Sequence, residues 1–158
     1  MGISGLIFLS SGLFLGWSLG ANDASNVFGT AVATRMVKFK TAAIVCSIFI
    51  ALGAVIGGVG AAHTLGSLGK VNAIGGSFVT AFAAAFMVYS MNKVGLPVSV
   101  SQAVVGAIIG WNWFTDSVTD MDSLVKIAGT WVACPLIAAG FAIPLFACVK
   151  KIGQKVDL

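Results

Sequence analysis

Charge is what this chain has least of. Only 9% of its 158 residues are charged, against about 25% in an average soluble domain, and so few charges cannot cover a water-facing surface. Cysteine is scarce too. Cys46, Cys134 and Cys148 all lie in apolar runs, and an odd count without metal-ligand spacing excludes a disulfide framework and a zinc site. The opening Met1-Gly2-Ile3-Ser4 lacks the basic residues of a cleaved signal peptide, so the first apolar run is expected to remain as a span. The net charge of +4 comes from basic residues in short gaps between apolar runs, not on one soluble face. That pattern sets membrane orientation and gives no reason to expect nucleic acid. The apolar runs also hold no nucleophile–base pair and no metal cluster, so neither an enzyme nor a resident cofactor is expected.

What is present is apolar and small. Hydrophobic residues make up 58% of the chain, with 20 glycines and a mean hydropathy of +1.03. Small residues let membrane helices approach closely. The expected fold is all-α, a polytopic membrane helix bundle forming one membrane domain over residues 1–158.

The apolar runs place spans at roughly 3–34, 41–62, 72–91, 97–113 and 124–149. The first carries Gly12, Gly16 and Gly20 at every fourth position. It is too long for one straight crossing of a core of about 30 Å, so a break is expected at 20–26, with a half-helix or re-entrant leg after Asp23. His63, Thr64, Ser67 and Lys70 fall in a Gly-rich connection, and His63 is read as a solvated loop residue without a role. Asp116, Asp120 and Asp122 form an acidic loop flanked by Trp111 and Trp113, which read as interface anchors. The last span is expected to kink near Pro135 and Pro144. Arg35, Lys38, Lys40, Lys93 and the lysines at 150, 151 and 155 should be cytoplasmic. That gives about five crossings, with the N-terminus outside and the C-terminus inside. A unit with odd crossings, followed by a copy of itself, makes an inverted pair; no copy is visible here, so the chain reads as one half of an inverted-repeat transporter with discontinuous helices.

Two polar islands interrupt the apolar pattern. The first is Gly20-Ala21-Asn22-Asp23-Ala24-Ser25-Asn26-Val27-Phe28-Gly29-Thr30. A carboxylate at the bilayer centre costs about 2.5–3.5 kcal/mol on insertion scales, and such residues mark substrate or ion paths. Asn22, Asp23 and Asn26 offer oxygens suited to a hard monovalent cation such as sodium, or to accepting a proton. The second island is Gly95-Leu96-Pro97-Val98-Ser99-Val100-Ser101-Gln102, with Pro97 suited to a helix's first turn. Ser25, Thr30, Ser99, Ser101 and Gln102 can donate to oxyanion oxygens, and a helix N-terminus favours anions. Apart from Lys126 near the start of the last run, no basic residue lies inside a span, which argues for ion-coupled uptake over a basic anion pore. The plainer alternatives are that Asp23 caps a helix and that the serines and Gln102 join helices.

The first island resembles the GAND-x-x-N-x-x-G-T signature of the inorganic phosphate transporter (PiT) family. Pro97-Val98-Ser99-Val100-Ser101-Gln102 resembles that family's Pro-Val-Ser-Thr-Thr/Ser-His/Gln element, in the expected order and separation. The resemblance implies a cation-coupled phosphate symporter built from two inverted repeats, this chain being the first. Carried over, Asn22, Asp23 and Asn26 would line the ion and phosphate site with Thr30 nearby, and Ser99 and Ser101 would contribute from the second element. Val100 replaces the usual Thr. Gln102 stands where many members have His and cannot carry a proton, which favours sodium over a proton relay. The implied partners are phosphate, sodium or protons, the lipid bilayer, and a second repeat supplied by a separate chain, a missing C-terminal half or a homodimer partner. The alternatives are another tetrahedral oxyanion such as sulfate, or a membrane assembly subunit that does not transport.

Overall fold

The computed structural model describes residues 3–69, 71 and 74–155, and divides into two units, residues 1–120 and 121–158. Lys70, Asn72 and the first two residues, which entered the reading of the sequence, lie outside the described set. Among the described residues there are five helices and no strand: α1 (Ile3–Ala33), α2 (Phe39–Leu68), α3 (Ile74–Lys93), α4 (Val100–Phe114) and α5 (Met121–Lys155). Four of them are long and apolar enough to cross a membrane. The chain is a multi-pass helical membrane protein.

The break expected at 20–26 is absent, because α1 runs as one helix of 31 residues through the whole first island. No proline lies in this stretch, and its buried amide, Asn22, finds partners without unwinding the backbone. The hydroxyls of Ser10, Ser11 and Ser25 donate to the carbonyls of Ile7, Phe8 and Asn22, each one turn back. At about 46 Å, α1 matches the full bilayer including headgroups, about 40–45 Å.

The second helix also exceeds expectation. It continues past Ala62 to Leu68, so His63 is an exposed helical residue rather than a loop residue. Thr64 and Ser67 return their hydroxyls to the carbonyls of Gly60 and Thr64, which satisfies them inside the helix. On this helix Val55, Ile56 and Val59 are each more than 80% exposed, as suits side chains that meet lipid.

In the first unit α3 lies between α1 and α4 and packs against both. Its buried face is Gly76, Thr80, Ala84 and Val88, with Ala85 beside them. This is an i, i+4 stripe of mostly small residues that lets neighbours approach. Gly76 is where the approach is closest: a Cβ added there would lie 2.7 Å from the Trp111 ring of α4. Trp111 is therefore a packing residue, while Trp113 is 86% exposed. The other face of α3 carries Phe78, Phe82 and Phe86, stacked at ring separations of 6.0 and 6.3 Å. Phe8 and Phe14 of α1 meet this ladder at 5.9 Å each, and Trp17 meets Tyr89 at 5.8 Å. Each such aromatic pair adds about 0.5–1.5 kcal/mol beyond area burial. At the end of the seam the Lys93 ammonium lies 5.5 Å from the Tyr89 ring centroid.

The fourth helix is short. Its 15 residues reach about 22 Å, less than the hydrocarbon core of about 30 Å. It starts at Val100, not at Pro97 as the sequence suggested, since residues 97–99 are non-helical and Ser99 is held in extended backbone before it. In the second unit α5 is one helix with Pro135 and Pro144 inside it. Each proline removes the bond to the carbonyl four residues back. Asp122 occupies its first turn, where a negative charge is favoured by the helix dipole.

Candidate functional site

The two polar islands meet at one residue. Asn22 is 1% exposed and projects from α1 onto the extended segment that precedes α4. Its Nδ2 donates to the Val98 carbonyl at 2.7 Å, and its Oδ1 accepts from the Val98 N–H at 3.3 Å. This two-point clasp fixes which end of the amide faces which backbone group. It also accounts for the late start of α4, since both backbone groups of Val98 are already taken. The second Nδ2 hydrogen goes to Asp23 Oδ1 at 2.8 Å. Both donors of Asn22 are thus used and one Oδ1 lone pair remains.

Asp23 is half-buried. With one oxygen on Asn22, it keeps the rest of its acceptor capacity for a cation or a protonated anion. At 100° per residue, Asn22, Asp23, Asn26 and Thr30 fall within about 100° of arc on α1. Asn26 and Thr30 are exposed, so they continue the polar face outward from the clasp. Ser25 does not share this face. It stands about 160° of arc from Asp23, donates to the Asn22 carbonyl at 2.7 Å and borders the groove between α1 and α2.

On the second island Ser99 is the N-cap of α4, its hydroxyl accepting from the Gln102 N–H at 3.4 Å. Ser101 and Gln102 occupy the first turn and are exposed. The structure therefore joins the islands through Asn22 and Val98. Ser99 works within its own helix, and Ser25 faces a different side. The oxygens of Asp23, Asn26 and the free lone pair of Asn22 are hard donors of the kind that suit hard cations. Among the described residues no cluster of three His, Cys, Asp or Glu side chains exists, so a cation here would rely on one carboxylate and amides.

Two buried polar residues that tie helices together lie outside the islands and were missed in the sequence. Ser18, one turn before Asn22, is 1% exposed and donates to the Ala85 carbonyl of α3 at 3.4 Å. Asn112 of α4 is also 1% exposed. Its Nδ2 donates to Leu68 O at 3.4 Å and to Thr119 Oγ1 at 3.0 Å, tying the end of α2 to the turn after α4. A lone amide inside the apolar run 103–113 was the available signal.

A family model described as "Phosphate transporter family" matches residues 19–157. Among curated proteins, a "Putative phosphate permease" of Haemophilus influenzae is 33% identical over 153 residues, covering 89% of this chain and 36% of its own length. Proteins of the same name in Chlamydia muridarum and Pyrococcus furiosus are each 28% identical, covering 89% and 92% of this chain and 35% and 38% of their own lengths. The chain thus spans a little over a third of the length of these relatives. No solved structure matches it.

Proposed function

The chain belongs to the phosphate transporter family, and from that premise we propose that it supplies one repeat of a symporter moving inorganic phosphate with sodium or protons across the cell membrane. The observation that carries the reading is the Asn22–Val98 clasp, which holds an acid-bearing helix face beside the start of a short helix. Cation and anion have opposite needs that these two parts meet. Asp23, with Asn26 and Asn22 oxygens, attracts the cation, and Thr30 stands on the same face. The first turn of α4 offers N–H groups and the hydroxyl of Ser101, with the Gln102 amide next to it, to the phosphate oxygens. A co-bound cation offsets the charge of phosphate where no lysine or arginine stands.

Asp23 has two roles open to it on this reading. It coordinates sodium, or it accepts a hydrogen bond from protonated phosphate and so rejects fully ionised sulfate. Asn26 and Thr30 are exposed within this chain, so the proposal includes a second repeat that closes the site over them. Alternating access then comes from rocking of one bundle against the other. The orientation that goes with this reading puts the N-terminus outside and the C-terminus in the cytoplasm, by the basic residues at 35–40 and 93.

The test is uptake of labelled phosphate by proteoliposomes holding the whole protein, with sodium and proton gradients imposed separately and unlabelled sulfate as competitor. Gradient-driven phosphate uptake that sulfate does not suppress is the expected result. Uptake suppressed equally by sulfate would assign a general oxyanion carrier, and absence of any gradient-driven uptake would leave only an assembly role.

A further inference from the structure

On the side of α1 away from Asp23, α1 and α2 leave a groove of about 630 Å³ between them. Its walls are apolar: Trp17, Ala24, Phe28 and Val32 from α1, Phe39 and Ile50 from α2. The α2 wall, Phe39 to Ile50, extends about 16 Å, the depth of one leaflet of a hydrocarbon core about 30 Å thick. The lining residues nearest the α1–α2 turn are Ala33 and Phe39.

That turn is rigidly built and strongly basic. The Thr34, Arg35 and Val37 N–H groups bond back to the Thr30, Val32 and Ala31 carbonyls of α1, and Arg35 sits at φ 61°, a left-handed conformation rare for a side-chain-bearing residue. Arg35, Lys38 and Lys40 are all exposed. The sequence contains no acidic residue between Asp23 and Asp116, and among the described residues none of the three cations forms an ion pair. Three uncompensated cations therefore lie in the turn and at the start of α2, next in sequence to Ala33 and Phe39 of an apolar groove one leaflet deep.

We propose that this groove and turn bind an anionic phospholipid, with the headgroup phosphate against Arg35, Lys38 and Lys40 and one acyl chain along the groove. Charge complementarity selects the occupant. A transmembrane helix would fill the apolar walls but leave the cations unmatched, and a free anion would match the cations but leave the walls empty. Since the groove faces away from Asp23, the lipid does not compete for the candidate transport site, and the proposal stands whether or not that site carries phosphate.

The test is native mass spectrometry of the purified protein with phosphatidylglycerol or phosphatidylcholine of identical acyl chains. Phosphatidylglycerol is expected to be retained about tenfold better. Replacing Arg35, Lys38 and Lys40 together by glutamine should reduce that preference to less than about twofold. Gly29→Leu should weaken both lipids alike, because Gly29 lines the groove and an added Cβ there meets nothing within 4 Å. A separate measurement needs no variant: phosphatidylglycerol carrying a photoreactive acyl chain should label residues 24–50 of the wild-type protein. Equal retention of the two lipids, a preference unchanged in the triple variant, label confined to other segments, or full displacement by inorganic phosphate would each overturn the assignment.

Discussion

Asn22 and Asn112 are the same residue type, each 1% exposed, and each joins a helix to backbone elsewhere in the first unit. They differ in how completely they are satisfied. Asn22 places both amide hydrogens and accepts from the Val98 N–H. Asn112 donates twice, but its Oδ1 is buried without a partner. It is also wedged against Gly69, where an added Cβ would lie 2.5 Å from both its Nδ2 and its Oδ1. One asparagine is thus a hydrogen-bonded clasp beside an acid and further polar side chains. The other is a steric and polar pin at the junction of α2 with the turn after α4. Burial alone does not separate these two amides; the groups around each one do.

The comparison can be broken by substitution. The largest effect should come from Asn22→Leu, which leaves the Val98 N–H and carbonyl without partners. We expect about 3 kcal/mol of destabilisation in a detergent melt and faster amide exchange at Val98, with uptake lost. Gly69→Ala should cost about 2 kcal/mol, because the Asn112 amide must move from a buried position. Gly69 has φ −163°, so the effect is steric and not conformational. Asn112→Ala should cost about 1 kcal/mol, its two lost bonds being partly offset by removal of the unpartnered oxygen. Combined with Asn112→Ala, Gly69→Ala should become nearly silent, and additive melts would instead show that the two residues do not touch. Smallest is Ser99→Ala, which removes a long cap bond and should cost about 0.5–1 kcal/mol.

Much of this was written in the residues. Scarce charge and long apolar runs specify a helical membrane bundle, and the two islands name the two segments that the Asn22–Val98 bonds join. The continuity of α1 was not legible, because whether a helix unwinds at Asn22 depends on whether that amide finds a partner. The partner is Val98, 76 positions away in the chain. The start of α4 was misplaced for the same reason, since Pro97 fits a first turn locally but Val98 is drawn off by Asn22. The end of α2 was placed early, at Ala62, because glycine, serine and threonine read as loop. In the folded chain Thr64 and Ser67 satisfy themselves on helix carbonyls. Ser25 shows the limit of motif reading: it lies inside the first island, yet the helical twist turns it toward the α1–α2 groove.

The central claim is that Asp23, held beside the start of α4 by the neighbouring Asn22 clasp, acts on the transported solutes and not on the fold. Asp23→Asn tests it most directly, because the replacement keeps an Oδ1 to accept from Asn22 and removes only the charge. Measured in proteoliposomes under a sodium gradient, the variant should melt within about 0.5 kcal/mol of the parent and lose at least about tenfold in phosphate uptake. Undiminished uptake by a normally folded variant would contradict the claim.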